Sequence, residues 1–118
     1  MTTYEDFERA TLFFDAKDYA GAARLLAPIA AGDPGNRAAV ELLGRAYFHS
    51  AQLGRAEETF RRLVELDPGN GWAHEALART LERQRRTAEA GAFRKLARAM
   101  GVAPAERTEV SVTAADLH

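Results

Sequence analysis

The tetrapeptide Asp-Pro-Gly-Asn stands at Asp33–Asn36 and again, 34 residues later, at Asp67–Asn70. A fixed period of that length marks helix–turn–helix solenoids, whose units bury their apolar faces only by stacking on a neighbour. The tetrapeptide also reads as a stop between helices. Proline has no N–H to continue a helix, and aspartate and asparagine suit a turn. Glycine is expected here in the left-handed conformation that closes a helix. No other feature of the chain restricts its fold as much.

Aligned on these turns, the chain divides into units 3–36, 37–70 and 71–104. The middle unit is the most regular. Val40, Leu43, Gly44 and Tyr47 fall at helical spacing, as do Ala56, Phe60 and Leu63. The small residues Gly44 and Ala56 would let two helices approach, with Tyr47, Phe60 and Leu63 filling the space around them. The periodicity predicts six helices, over about 3–16, 19–31, 37–50, 53–66, 71–84 and 87–100.

This pattern resembles the tetratricopeptide repeat family, of the small bacterial type. The residues that carry the resemblance are Leu43-Gly44, Tyr47, Ala56, Phe60, Leu63 and Pro68 in the middle unit. Their counterparts are Ala10, Phe13, Tyr19, Ala22, Leu26, Ile29 and Pro34 in the first, and Leu77, Ala78, Leu81, Ala90 and Ala97 in the third. The resemblance covers about residues 3–100 and implies an all-α, right-handed α-α superhelix of three helix-turn-helix units and six main helices. Residues 1–101 would form the repeat domain, and 102–118 an acidic, flexible C-terminal tail whose alternation at Thr108–Thr113 favours extended chain. Two departures stand out. The first unit places Glu5, Asp6 and Arg9 where the family buries apolar side chains, while Tyr4, Phe7, Ala10 (or Thr11) and Phe14 form the apolar stripe. Either that helix is rotated or its aromatics face the groove. The third unit has Arg94 where an aromatic is expected, with a stripe of Phe93, Leu96, Ala97 and Met100 that predicts a slipped or rotated last helix.

Composition excludes several kinds of chemistry. The chain has no cysteine, so disulfides, thiol catalysis and cysteine-ligated zinc are ruled out. The N-terminus is acidic and lacks a signal-peptide pattern, and no apolar run approaches a membrane span; both predict a cytoplasmic protein. The net charge of −1 conceals a gradient: −3 over 1–36, 0 over 37–70, +4 over 71–100 and −2 over 101–118. The basic run Arg83, Arg85, Arg86, Arg94, Lys95 and Arg98 lacks the broad basic face and stacking aromatics of a nucleic-acid binder. His49 could face Asp15 across one repeat, but two histidines without a third ligand make neither a metal site nor an acid–base site. No nucleophile motif or phosphate-cradling loop is present. The sequence therefore predicts no enzyme activity, no cofactor and no metal.

In the family that the chain resembles, the first helices of successive units line a concave groove, so residues one period apart stack into columns. Phe14, Phe48 and Glu82 form one column; Asp15, His49 and Arg83 the next; Thr11, Arg45 and Arg79 a third. Phe7, Leu42 and Trp72 complete the expected lining. Phe14 and Phe48 are the foremost candidates for an apolar strip, because each follows a core aromatic (Phe13, Tyr47) and cannot share its direction. Arg45 and Arg79 could grip carboxylates, but each also has an acid four residues earlier (Glu41, Glu75), the order that favours pairing within a helix. The family's chaperone-carboxylate subclass uses lysines, asparagines and an arginine at positions that here hold Phe7, Thr11, Leu42, Trp72 and Ala76, so that subclass is not implied.

The function that follows is non-catalytic recognition: an adaptor or scaffold that takes a peptide or protein segment in the groove. Apolar side chains would meet Phe14, Phe48 and Leu42, and Arg45, Arg79 and Arg83 would orient acidic groups. The alternative is head-to-tail self-association of the acidic first unit with the basic third, giving a homo-oligomer.

Overall fold

The computed structural model describes residues 3–102. It contains α1 (Thr3–Asp15), α2 (Tyr19–Gly32), α3 (Arg37–His49), α4 (Leu53–Leu66), α5 (Gly71–Arg83) and α6 (Thr87–Ala99), and no strand among the described residues. Each helix packs on the one before and the one after it, which is the contact pattern of a solenoid. The first helices, α1, α3 and α5, begin and end one 34-residue period apart. The second helices, α2, α4 and α6, also begin one period apart, at Tyr19, Leu53 and Thr87, so the backbone shows neither the shift expected of the first unit nor the slip expected of the last. Arg94 occupies the place that Phe60 holds one unit earlier. Leu96 and Met100 remain exposed rather than joining a stripe.

The core runs between the two helical layers through Ala10, Ala22, Leu26, Val40, Ala56, Phe60, Leu63, Leu77, Ala78, Leu81 and Ala90. Close approach is built on small residues. A Cβ on Gly44 would lie 2.5 Å from Cε1 of Phe60, and one on Gly21 would lie 2.6 Å from Cδ2 of Phe13. Removing apolar surface of this kind from water is the main drive for stacking, at about 25 cal/mol per Å².

The repeated tetrapeptide works differently from the expectation. Neither Gly35 nor Gly69 has a positive φ. Asp33 and Asp67 end their helices, each N–H donating to the carbonyl four residues back (Ile29, Leu63) at 3.0 and 2.9 Å. Asn36 and Asn70 then close the turn onto the aspartate carbonyl at 3.0 Å and cap the next helix, accepting from Ala39 N at 3.1 Å and Ala73 N at 3.2 Å. Such caps are worth about 1 kcal/mol each.

The left-handed residues lie instead in the turns within units: Lys17 (φ 66°), Ala51 (φ 62°) and Arg85 (φ 64°), again one period apart. Each sits under a bond from the following N–H to the carbonyl five residues earlier, Asp18 to Phe13, Gln52 to Tyr47 and Arg86 to Leu81, at 2.8–2.9 Å. Gly101 (φ 93°) closes α6 in the same way, through Val102 N to Ala97 O at 3.0 Å. The tail expected at 102–118 lies, apart from Val102, outside the described residues.

Candidate functional site

The first helices meet at their C-terminal ends, and the side chains there form a repeated rung. The ring of Phe14 is buried at 5% exposure, and the Arg45 guanidinium, from the next first helix, covers it at 4.9 Å. One period on, Phe48 is buried at 8% and the Arg83 guanidinium covers it at 5.0 Å. A cation over an aromatic face gains about 0.5–2 kcal/mol. His49 lies between the rungs, stacked on Tyr19 at 4.8 Å and edge-on to Phe14 at 6.0 Å and Phe48 at 5.6 Å. Tyr19 also meets Phe14 edge to face at 5.1 Å. This corrects the expected apolar strip. Phe14 and Phe48 do point towards the neighbouring first helix, but basic groups of that helix cover them. A ligand on this face meets cations before it meets rings.

The charges are largely paired within the fold. Arg45 lies 3.7 Å from Glu41, and Arg79 lies 3.2 Å from Glu75, as the spacing in the sequence suggested. Burial lowers the affinity of Arg45 for its proton, with Glu41, Asp15 and Tyr19 working in the opposite direction. Arg94 reaches across from α6 to the buried Glu75 at 3.3 Å and to Glu82. Its pairing with Glu82, then Glu75, raises its pKa against the opposing effect of burial. Arg94 thus turns what would be an aromatic contact into a polar closure over α5. Arg83 is different, because it is exposed and no carboxylate of the described residues pairs with it.

The remaining predicted residues separate from this cluster. Trp72 packs edge to face on Phe60 of α4 at 5.8 Å, so it points between units and not into the groove. Its place at the start of α5, on a second helix of the preceding unit, explains the difference. Phe7 and Leu42 are half-buried against the core. The Thr11 hydroxyl donates to the Phe7 carbonyl at 3.0 Å. His74 is buried, its Nε2 3.0 Å from the Pro68 carbonyl. Among the described residues no group of three or more His, Cys, Asp or Glu could hold a metal ion, and no helix is long and apolar enough to cross a membrane.

Two tetratricopeptide repeat models match, one over residues 13–66 and the other over 59–92. The chain belongs to the tetratricopeptide repeat family. No curated protein matches it. Among solved structures, MamA MSR-1 superposes with a TM-score of 0.80 at 23% identity, covering 84% of this chain and 57% of that one. MamA AMB-1 gives 0.80 at 24% identity, covering 84% and 59%. MamA from Desulfovibrio magneticus RS-1 gives 0.76 at 24%, covering 90% and 57%. The chain thus spans under three fifths of the length of these structures, and at such identity the likeness shows the fold. The tetratricopeptide repeat is in general a non-catalytic, protein-interaction fold, and the chain is a protein–protein interaction module in that sense.

Proposed function

We propose that the face of the first helices binds an acidic segment of a partner protein, laid across the rungs Phe14–Arg45 and Phe48–Arg83. The observation that carries this reading is the repetition of the rung. Two guanidinium groups lie over buried rings one unit apart, at 4.9 and 5.0 Å from the ring centres, and their N–H groups can donate to carboxylates. Arg83 would be the principal anchor, because its charge is not spent on an internal acid. Arg45 and Arg79 would share theirs between an internal acid and the ligand. Phe48 is not a surface probe, since a charge placed on that buried ring would disturb the fold itself. Arg83→Glu is the better test. A fluorescent peptide with two glutamates flanking a leucine should lose at least about ten-fold in affinity. Arg98→Glu, an exposed control on α6, should bind as the parent does. Equal binding by all three proteins would refute the assignment.

A second reading, self-association, is favoured by a different observation. Leu12 is 66% exposed, although the residues at the same register in the later units, Ala46 and Thr80, are fully buried against the preceding unit. Glu5, Glu8 and Arg9 line the same hollow as Leu12, and Tyr4 is 70% exposed at its edge. A basic third unit of a second copy would complement that face. Sedimentation from low to high salt checks the idea. A monomer at every salt concentration would dismiss it, and so would an oligomer unaffected by Leu12→Glu.

A further inference from the structure

A cavity of ≈ 300 Å³ lies between α2 and the end of α3 with the start of α4, and it shares no lining residue with the rungs Phe14–Arg45 and Phe48–Arg83. Its walls include Ala23, Arg24 and Ala27 of α2, with Tyr47, Gln52 and Arg55 opposite. The corresponding place one period on is full. There Ala23 is replaced by Glu57, Ala27 by Arg61, Gln52 by Arg86 and Arg55 by Glu89. Glu57 accepts from Arg86 Nη1 at 2.6 Å, from Arg61 Nε at 3.0 Å and from Gln84 Nε2 at 3.0 Å. Arg61 and Arg86 each also bind Glu89 at 2.8 Å. The junction between units two and three is therefore sealed by a carboxylate that collects the surrounding donors.

The first junction carries its basic groups at other positions, with Arg24 and Arg55 standing where Glu58 and Glu89 stand one period on, and it lacks the central acid. Arg55 is held in place through a chain of bonds. Gln52 Nε2 donates to the Ser50 hydroxyl at 2.9 Å, and Arg55 Nη1 donates to Gln52 Oε1 at 3.1 Å. Its guanidinium lies 6.0 Å from the centre of the Tyr47 ring. Arg24 lines the opposite wall, and no carboxylate of the described residues pairs with either arginine. Two cations thus line one recess, and the alanines leave room for a single side chain.

We propose that this recess is a second binding site, which takes the carboxylate of a glutamate side chain presented by a partner protein. The carboxylate would supply to Arg24 and Arg55 what Glu57 supplies to Arg61 and Arg86 at the next junction. Charge-assisted bonds in a partly enclosed recess are stronger than the same pair in open water. The site is independent of the first-helix face, so the failure of either leaves the other standing.

The test uses the full chain and two kinds of measurement. In an NMR titration, a blocked Gly-Glu-Gly tripeptide should shift the amides of Ala20–Ala27 and Gln52–Arg55, and blocked Gly-Gln-Gly should not. Ala23→Glu should fill the recess from within. It should be more stable than Ala23→Gln, which has the same shape without the charge. It should also abolish the peptide shifts, and Arg55→Gln should erase the difference in stability. The proposal is overturned if both peptides shift the same amides equally or neither does. It is also overturned if Ala23→Glu is no more stable than Ala23→Gln, or if neither variant folds, since the recess would then not admit a side chain of that length.

Discussion

Gly44→Ala and Gly91→Ala are the same chemical change in two helices, and the structure gives them opposite signs. A Cβ at Gly44 would sit 2.5, 2.8 and 3.0 Å from Cε1, Cδ1 and Cζ of Phe60. That ring is fully buried and is held edge-on by Trp72 at 5.8 Å, so it cannot swing aside. Overpacking of this kind costs about 1–3 kcal/mol. Alanine returns up to about 1 kcal/mol through its higher helix propensity, leaving a net loss of about 1–2 kcal/mol. At Gly91 a Cβ would meet nothing within 4 Å, so only the propensity acts, a gain of about 0.5–1 kcal/mol. Urea denaturation, with a slope of about 2 kcal/mol per M, should move the Gly44→Ala midpoint down by about 0.5–1 M and the Gly91→Ala midpoint up by a few tenths. Adding Phe60→Leu to Gly44→Ala should cost less than the sum of the two single changes, because the shorter side chain frees the contested space. A Gly44→Ala midpoint that rises, or strict additivity with Phe60→Leu, would refute the packing account.

Two further outcomes follow from local geometry. Ala51 is exposed at φ 62°, so Ala51→Gly should raise stability by about 0.5 kcal/mol, while Ala51→Val should lower it by at least about 1 kcal/mol; thermal melts that show the same sign for both would dismiss strain at this turn. Burial pushes the Glu57 carboxyl up, but hydrogen bonds from Gln84, Arg86 and Arg61 outweigh it and hold the group below its ordinary value of 4.5. A depressed carboxyl gives stability that is complete above the unfolded value and is lost as pH falls through the folded one. Acid titration of stability should therefore show a loss beginning near pH 4.5 that is shallower in Glu57→Gln, and identical slopes would contradict the linkage.

Much of the fold was legible because its signals are local. Proline at 34 and 68, the asparagine turns at 36 and 70 and small residues at 44 and 56 are each read within a few positions, and they place the helix boundaries closely; the capping role of the asparagines was not read. The left-handed turns were not legible, since Lys17, Ala51 and Arg85 carry no sign of positive φ. The bond to the carbonyl five residues back demands that conformation whatever side chain is present. At the candidate site, the direction of Phe14 and Phe48 followed from their neighbours in the helix. Their burial did not, because it is decided by Arg45, His49 and Arg83, which the superhelix brings in from the next unit. Arg94 was visible as an anomaly, yet its partners Glu75 and Glu82 become neighbours only when α6 folds back on α5.

The columns of the repeat separate what the fold requires from what it leaves open. Where a column keeps its chemistry, as with Ala10, Gly44 and Ala78, the residues are small and buried, and packing alone accounts for them. Where a column changes, each change has a physical consequence. Phe60 gives way to Arg94, and the closure over α5 becomes ionic. Phe14 and Phe48 give way to Glu82, so the aromatic rungs stop where that closure begins. Ala46 and Thr80 correspond to Leu12, and an apolar side chain is left facing outward at the first unit. Glu57 corresponds to Ala23, and a sealed junction becomes an open one lined by two arginines. Stacking needs none of these substitutions, since the backbone keeps its register through every one of them. On the reading proposed above, they mark the surfaces that would serve partners: the Arg45 and Arg83 rungs, the recess beside Arg24 and Arg55, and the face around Leu12. A partner rich in carboxylates would satisfy the first two together, whereas a basic partner would satisfy only the third. That asymmetry is the physical ground for placing acidic segments ahead of self-association.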